Sequence, residues 1–218
     1  TRNAELVRYI AKSLKYHVVS FDFQGNGESG GLTTIGNLDD EAENLRCVIS
    51  YVRSTLEREI LGICGHSKGA AVVLLYASKY NDVPLVVNIS ARYDYASSDY
   101  IEKFFSDKLE QLKKDGFFVW GSDYIVRQED LDARQKIDMS CVRNINNERV
   151  RVLTVHGSKD EVCPVDGAYI YDELIGPEPH HKLIVIEGAN HSFNEQEDTL
   201  LKAVESWLSE NHSWYLGQ

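Results

Sequence analysis

A serine, an acid and a histidine follow three separate apolar runs of this chain, in that order. The first run, Ile60 to Cys64, leads into Gly65-His66-Ser67-Lys68-Gly69 and then into the apolar stretch Ala70 to Ala77. Read as strand, G-x-S-x-G and helix, this is a tight, strained bend that lifts the Ser67 hydroxyl clear of the backbone, with glycines at both ends permitting the bend. A serine hydroxyl is a weak nucleophile, so it needs a base to take its proton and a carboxylate to orient that base. The backbone N–H of Lys68, next to a helix N-terminus, is positioned to hold an oxyanion. The Lys68 side chain is assigned no part in catalysis.

The other two residues sit behind later strands. GSKDEVCPV follows Val150 to His156 and puts Asp160 in a loop, with Glu161 and Asp166 as rivals for the acid. EGANHSF follows Leu183 to Ile186 and offers His191 as the base. All three loops fall at the carboxyl edge of a parallel sheet, where open α/β folds bind ligands. Of the remaining histidines, His17 and His156 are placed on strands, His66 is expected to face away from the site, and His180, His181 and His212 read as exposed turn residues.

The elements that must position these side chains alternate. Leu6, Val7, Ile10 and Leu14 mark a helix, Tyr16 to Phe23 a mostly buried strand, and Leu38, Ala42, Leu45, Ile49, Val52 and Leu56 a second helix. Leu85 to Ile89 reads as a strand. A final helix carries Leu200, Leu201, Val204, Trp207 and Leu208 and ends near Asn211, with Trp214 and Tyr215 at or beyond its end. Apolar strands separated by helices predict an α/β fold, a mostly parallel sheet covered by helices on both faces. A single domain is expected over residues 1–218. Residues 92–149 read as an inserted helical lid that adds no strand to the sheet. Its aromatic residues, among them Tyr93, Tyr95, Phe104, Phe105, Phe117, Phe118 and Trp120, either line an acyl or aryl pocket or form a small core beneath the lid.

Composition narrows the partners. A net charge of −11 repels a phosphate backbone and an anionic membrane surface, which argues against nucleic acid. No apolar run is long enough to span a bilayer and the opening residues lack a signal-peptide layout, so a cytoplasmic location is expected. Cys47, Cys64, Cys141 and Cys163 lie far apart and read as free thiols. No H-E-x-x-H and no paired cysteines occur, so no metal is expected. Gly25, Gly27 and Gly30 satisfy G-x-G-x-x-G, but GLTTIGN intervenes before the next helix, which sets a dinucleotide site aside. The acidic run Asp39, Asp40, Glu41 and Glu43 suits a helix start and needs no ligand.

FDFQGNGESGG, GHSKGAAVVLLYAS, VLTVHGSKDEVCPV and IEGANHSFN resemble the consecutive signatures of the α/β-hydrolase superfamily, within its branch of small serine esterases and cinnamoyl-esterase-like or lipase-like hydrolases. The likeness runs over nearly the whole chain. It implies Ser67, Asp160 and His191 as the triad, a small-molecule ester as substrate, and no cofactor. In that family a first oxyanion amide comes from a His-Gly loop after a strand that precedes the first helix. The sequence begins past that point with Thr1, so the resemblance implies an N-terminally truncated sheet. The missing strand would lie between Tyr16–Phe23 and Ile60–Cys64, and the 218 residues alone are expected to be poorly stable or nearly inactive.

The expected reaction is hydrolysis of carboxylic esters through an acyl-enzyme on Ser67. The alternatives are acyl transfer, or thioester or peptide cleavage, by the same triad. A non-catalytic relative that binds a ligand or protein partner is the reading from another class. The acyl and alcohol preferences and the oligomeric state are not legible.

Overall fold

The computed structural model describes residues 4–120 and 124–217. Thr1 and residues 121–123 of the expected insertion lie outside them. Four parallel strands form the sheet: β1 (Gly62–His66), β2 (Leu85–Ile89), β5 (Arg151–Gly157) and β6 (His181–Ile186), in the spatial order β1-β2-β5-β6. Parallel neighbours require crossovers, and helices supply them. The intervening helices are α1 (Glu5–Ser13), α2 (Leu38–Ser54), α3 (Lys68–Tyr80), α7 (Asp166–Ile175) and α8 (Glu197–Leu216).

Alternation along the strands divides the core in two. Ile63, Val86 and Val152 face α2, α3 and α7, while Leu85, Val87, Ile89, Leu153 and Val155 face α1 and α8. Every residue of β2 is buried, as expected of a strand with neighbours on both sides and helices on both faces. Fully burying a side chain such as Leu85 or Ile89 contributes about 1.5–3 kcal/mol. α3 is apolar on all sides because it is enclosed by the sheet, α2 and the 3-10 turn Met139–Asn144.

Tyr16 to Phe23 departs from its expected structure. Residues 17–23 join no strand, Val18 and Val19 are exposed, and none of the described residues pairs with the outer edge of β1. A β-rich pattern sets an extended backbone, whereas a strand also needs a ladder partner. Phe21 and Phe23 still pack against the core, and the Asp22 carboxylate accepts a bond from the Glu28 amide at 3.2 Å. The glycine-rich turn closes on itself through Gly25 N–H to the Gly30 carbonyl at 2.9 Å, and the next helix opens only at Leu38.

The described residues of 92–149 add no strand to the main sheet, but they are not wholly helical. α4 (Asp99–Phe105) and α5 (Leu109–Asp115) precede an antiparallel hairpin, β3 (Phe117–Trp120) with β4 (Tyr124–Arg127), and α6 (Gln128–Gln135) follows. Phe118 pairs with Val126 and both point inward, joining Phe105, Leu112 and Leu131 in a separate small core. Phe105 and Phe118 therefore take the second of the two roles left open for these aromatics. Tyr93 and Tyr95 pack against the main core instead, while Phe117, Val119 and Ile125 leave an apolar outer face on the hairpin.

Two further readings also change. α8 continues past Asn211 because Arg151 receives it: its guanidinium donates to Asn211 Oδ1 at 2.8 Å and lies 4.1 Å from the Trp214 ring centroid. His212 is therefore helical. His181 opens β6 and is buried between Asp172 and the Thr154 hydroxyl, because sheet pairing carried it inside.

Candidate active site

β1 ends at His66, and α3 begins one residue after Ser67. At that junction Ser67 adopts φ 57° and ψ −120°, a conformation that non-glycine residues rarely occupy. Its N–H is held by the Ile89 carbonyl at 2.9 Å. A serine before a helix usually caps it with its hydroxyl, but here no side-chain cap forms. The hydroxyl instead reaches His191, with Ser67 Oγ 2.9 Å from Nε2. Only one of the two motif glycines is sterically required. A Cβ on Gly65 would stand 2.2 Å from the Gly69 carbonyl oxygen, whereas one on Gly69 would meet nothing within 4 Å.

His191 follows β6 and Asp160 follows β5. Nδ1 of His191 lies 2.8 Å from Asp160 Oδ2. Because the carboxylate accepts, Nδ1 carries the proton and Nε2 is free to accept from the serine. Asp160 Oδ1 takes the amides of Val162 at 2.9 Å and Cys163 at 2.7 Å. Burial opposes the Asp160 charge, yet hydrogen bonds from His156, His191 and the Cys163 amide outweigh it and hold the carboxyl well below the ordinary carboxylate range. The structure thus brings Ser67, His191 and Asp160 into one hydrogen-bonded row. Of Asp160's rivals, the Glu161 carboxylate accepts the main-chain N–H of His191, at 3.4 Å, and not its ring, and Asp166 begins α7.

As the first residue of α3, Lys68 has no carbonyl four residues back within the helix to take its N–H. Its side chain turns away toward Glu41, 2.7 Å from Oε1, and donates to the Thr34 carbonyl at 3.0 Å. Glu41 is buried, not part of a solvated helix start; burial pushes its carboxyl up and Lys68 pulls it back.

Two histidines set aside in the sequence border this row. His66 does not face away: its ring centroid lies 4.9 Å from that of His191, and its Nε2–H donates to the His191 carbonyl at 2.9 Å. Burial and the neighbouring His191 push its imidazole down to about 4, so it is neutral near pH 7. His156 reaches Asp160 from the strand side, with Nε2 3.3 Å from Oδ2. No spacing rule singles out either contact: the first depends on how loops after different strands meet, the second on how the loop after β5 folds back on its own strand. Among the described residues no group of three or more His, Cys, Asp or Glu side chains could hold a metal ion, and no helix is long and apolar enough to cross a membrane.

A parallel sheet between helical layers, with a serine on a strained strand-to-helix turn and loops gathered at the carboxyl edge, defines an α/β serine hydrolase. The family model described as serine aminopeptidase, S33 (Hydrolase_4) matches residues 1–125, and the chain belongs to that family.

Among its relatives, YqkD of Bacillus subtilis (strain 168), described as uncharacterized, is 25% identical over 206 residues, covering 89% of this chain and 63% of that protein. The lysophosphatidylserine lipase ABHD12 of Danio rerio is 26% identical over 169 residues, covering 75% of this chain and 41% of that protein. The chain therefore spans less than two thirds of either relative. In fold it is similar to Est1E from Butyrivibrio proteoclasticus with ferulic acid bound, at TM-score 0.75 and 17% identity over 97% of this chain and 85% of that one. It is also similar to the Pyrococcus furiosus esterase Pf2001, at TM-score 0.72 and 21% identity over 96% and 77%.

Proposed function

We propose that this chain carries the reacting residues of a serine esterase, with Ser67 as nucleophile, His191 as base and Asp160 as orienting acid. The observation that carries the reading is the row from Ser67 Oγ through His191 to Asp160 Oδ2, at 2.9 and 2.8 Å, on a serine held at φ 57°. His191 Nε2 removes the Ser67 proton as Oγ bonds to the ester carbonyl carbon, and the carbonyl electrons move onto oxygen beside the Lys68 amide. Collapse expels the alcohol, which takes the proton from His191 and leaves an acyl-serine. Water, deprotonated by the same nitrogen, then releases the acid and restores Ser67. Asp160 keeps the imidazole in the right tautomer and stabilises its charged form.

A small-molecule ester is the substrate on this reading, and residues 92–149 act as a lid over its acyl group. Support for the lid comes from its ties to the site's surroundings. Arg92 donates to the Val162 carbonyl at 2.6 Å, and the Tyr124 hydroxyl lies 3.5 Å from Thr33 Oγ1, one residue before the carbonyl that Lys68 holds. The family's description as serine aminopeptidase favours amide cleavage by the same residues as the second reading.

Labelling by a fluorophosphonate probe, beside hydrolysis of short and aromatic p-nitrophenyl esters and of an aminoacyl p-nitroanilide, tests both readings. Ser67→Ala is expected to abolish labelling and to lower turnover by about 10⁴–10⁶, and Asp160→Asn to lower it by about 10⁴. Full activity in Ser67→Ala would end the nucleophile assignment, and preference for the anilide would select the second reading.

A further inference from the structure

His156 is wholly buried in β5 and takes no part in the reaction described above. Its Nε2 lies 3.0 Å from the Cys163 carbonyl oxygen and 3.3 Å from Asp160 Oδ2. Both are acceptors, so Nε2 carries a proton. Nδ1 has no hydrogen-bond partner among the described residues. A proton there would be a buried orphan donor, so the ring is the neutral Nε2–H tautomer. The Asp160 carboxylate accepts two amides on Oδ1 and His191 Nδ1–H on Oδ2, and the His156 Nε2–H, bonded to the Cys163 carbonyl, stands close to that same Oδ2.

We propose that His156 is a positioning residue that sets the base strength of His191 by sharing Asp160 Oδ2 with it. The inference rests on the reading of Ser67, His191 and Asp160 as the reacting row. The positive end of the His156 Nε2–H dipole, with Nε2 3.3 Å from the oxygen that faces His191 Nδ1, offsets part of its charge, so Asp160 stabilises the imidazolium less than it would alone. His191 thereby receives less help from Asp160 in carrying the proton it takes from Ser67. A purely structural role is the alternative, in which His156 only pins the acid loop through the Cys163 carbonyl.

The other polar and titratable groups around this pair are His66 and Ser67 at the end of β1, Glu161 and Cys163 in the acid loop, and Arg92 after β2, which bonds the Val162 carbonyl. None is altered in a His156 variant.

The test replaces His156 by Phe, which keeps a ring and removes the donor, by Asn, whose amide is too short to reach Oδ2, and by Gln, whose amide can stand in for Nε2–H. Two readouts are used: the acid limb of kcat/KM, and the NMR titration of His191, identified by the signal lost in His191→Gln. Phe and Asn are expected to raise both by roughly half to one pH unit, and Gln to stay with the wild type. An unshifted titration in Phe or in Asn, or a Gln variant that shifts as they do, would overturn the proposal. The NMR titration does not depend on turnover, so failure of fluorophosphonate labelling would count against the esterase reading alone.

Discussion

Gly157 lies so close to Ala189 that a Cβ on the glycine would stand 2.3 Å from the Ala189 carbonyl oxygen. That carbonyl also accepts the Lys159 N–H at 2.9 Å, so the loop after β5 and the loop after β6 are fastened backbone to backbone. Asp160 sits on one loop and His191 on the other. Gly157→Ala must push the loops apart, since neither contact is a flexible side chain. The expected result is a stability loss of about 1–3 kcal/mol and a fall in turnover of about a hundredfold, because a displacement near 1 Å is costly in a reacting geometry. Denaturant midpoints and kcat of the variant check it.

The two motif glycines should behave differently. Gly65→Ala places a methyl against the Gly69 carbonyl and is expected to cost several kcal/mol or the fold of the turn, with fluorophosphonate labelling of Ser67 lost. Gly69→Ala meets open space inside α3 and is expected to be neutral or to stabilise by up to about 1 kcal/mol. Thermal unfolding of the pair reads the contrast; equal losses in both would show that the second glycine has a role its contacts do not reveal.

Lys68→Met leaves Glu41 buried beside an apolar chain. Breaking a buried pair from one side costs about 3–5 kcal/mol, and because the Lys68 side chain is 35% exposed the expected loss here is smaller, about 2–3 kcal/mol. Adding Glu41→Gln removes the stranded charge and is expected to recover part of it. Comparing both variants by urea unfolding at pH 7 checks the sign of the recovery.

Acid should destabilise the fold through His66 before it reaches Asp160. With its folded value pushed down to about 4, His66 binds its proton later than the unfolded chain does. Its contribution is complete above a pH of about 6.5 and is lost as pH falls toward 4, by about 3 kcal/mol in all. The Asp160 carboxyl is held below its unfolded value, so its contribution survives until pH drops under about 4. Urea midpoints at pH 7 and 5 are expected to differ more in the wild type than in His66→Gln, which keeps a donor for the His191 carbonyl.

Much of this architecture was legible from local pattern. Leu85 to Ile89 reads as a strand to the residue, because four apolar residues among five after a proline leave few other options for a segment that short. The run from Ala70 to Ala77 announces an enclosed helix by its lack of a polar face, and the strained turn at Ser67 is implied by a glycine-flanked serine between strand and helix. Tyr16 to Phe23 misled because its pattern specifies an extended backbone but not a neighbour to pair with.

Chain order and residue type by themselves determined an α/β sheet with Ser67, Asp160 and His191 in loops at one edge, since periodicity and turn chemistry are properties of neighbouring residues. Which side chains meet was decided only by the tertiary structure. The approach of Gly157 to Ala189, the second imidazole of His156 on Asp160, the ring of His66 against His191 and the pairing of Lys68 with Glu41 each join segments far apart in the chain or loops folded back on their own strand. Such contacts follow from how packed helices and strand register aim the loops in space, and no local spacing carries that information.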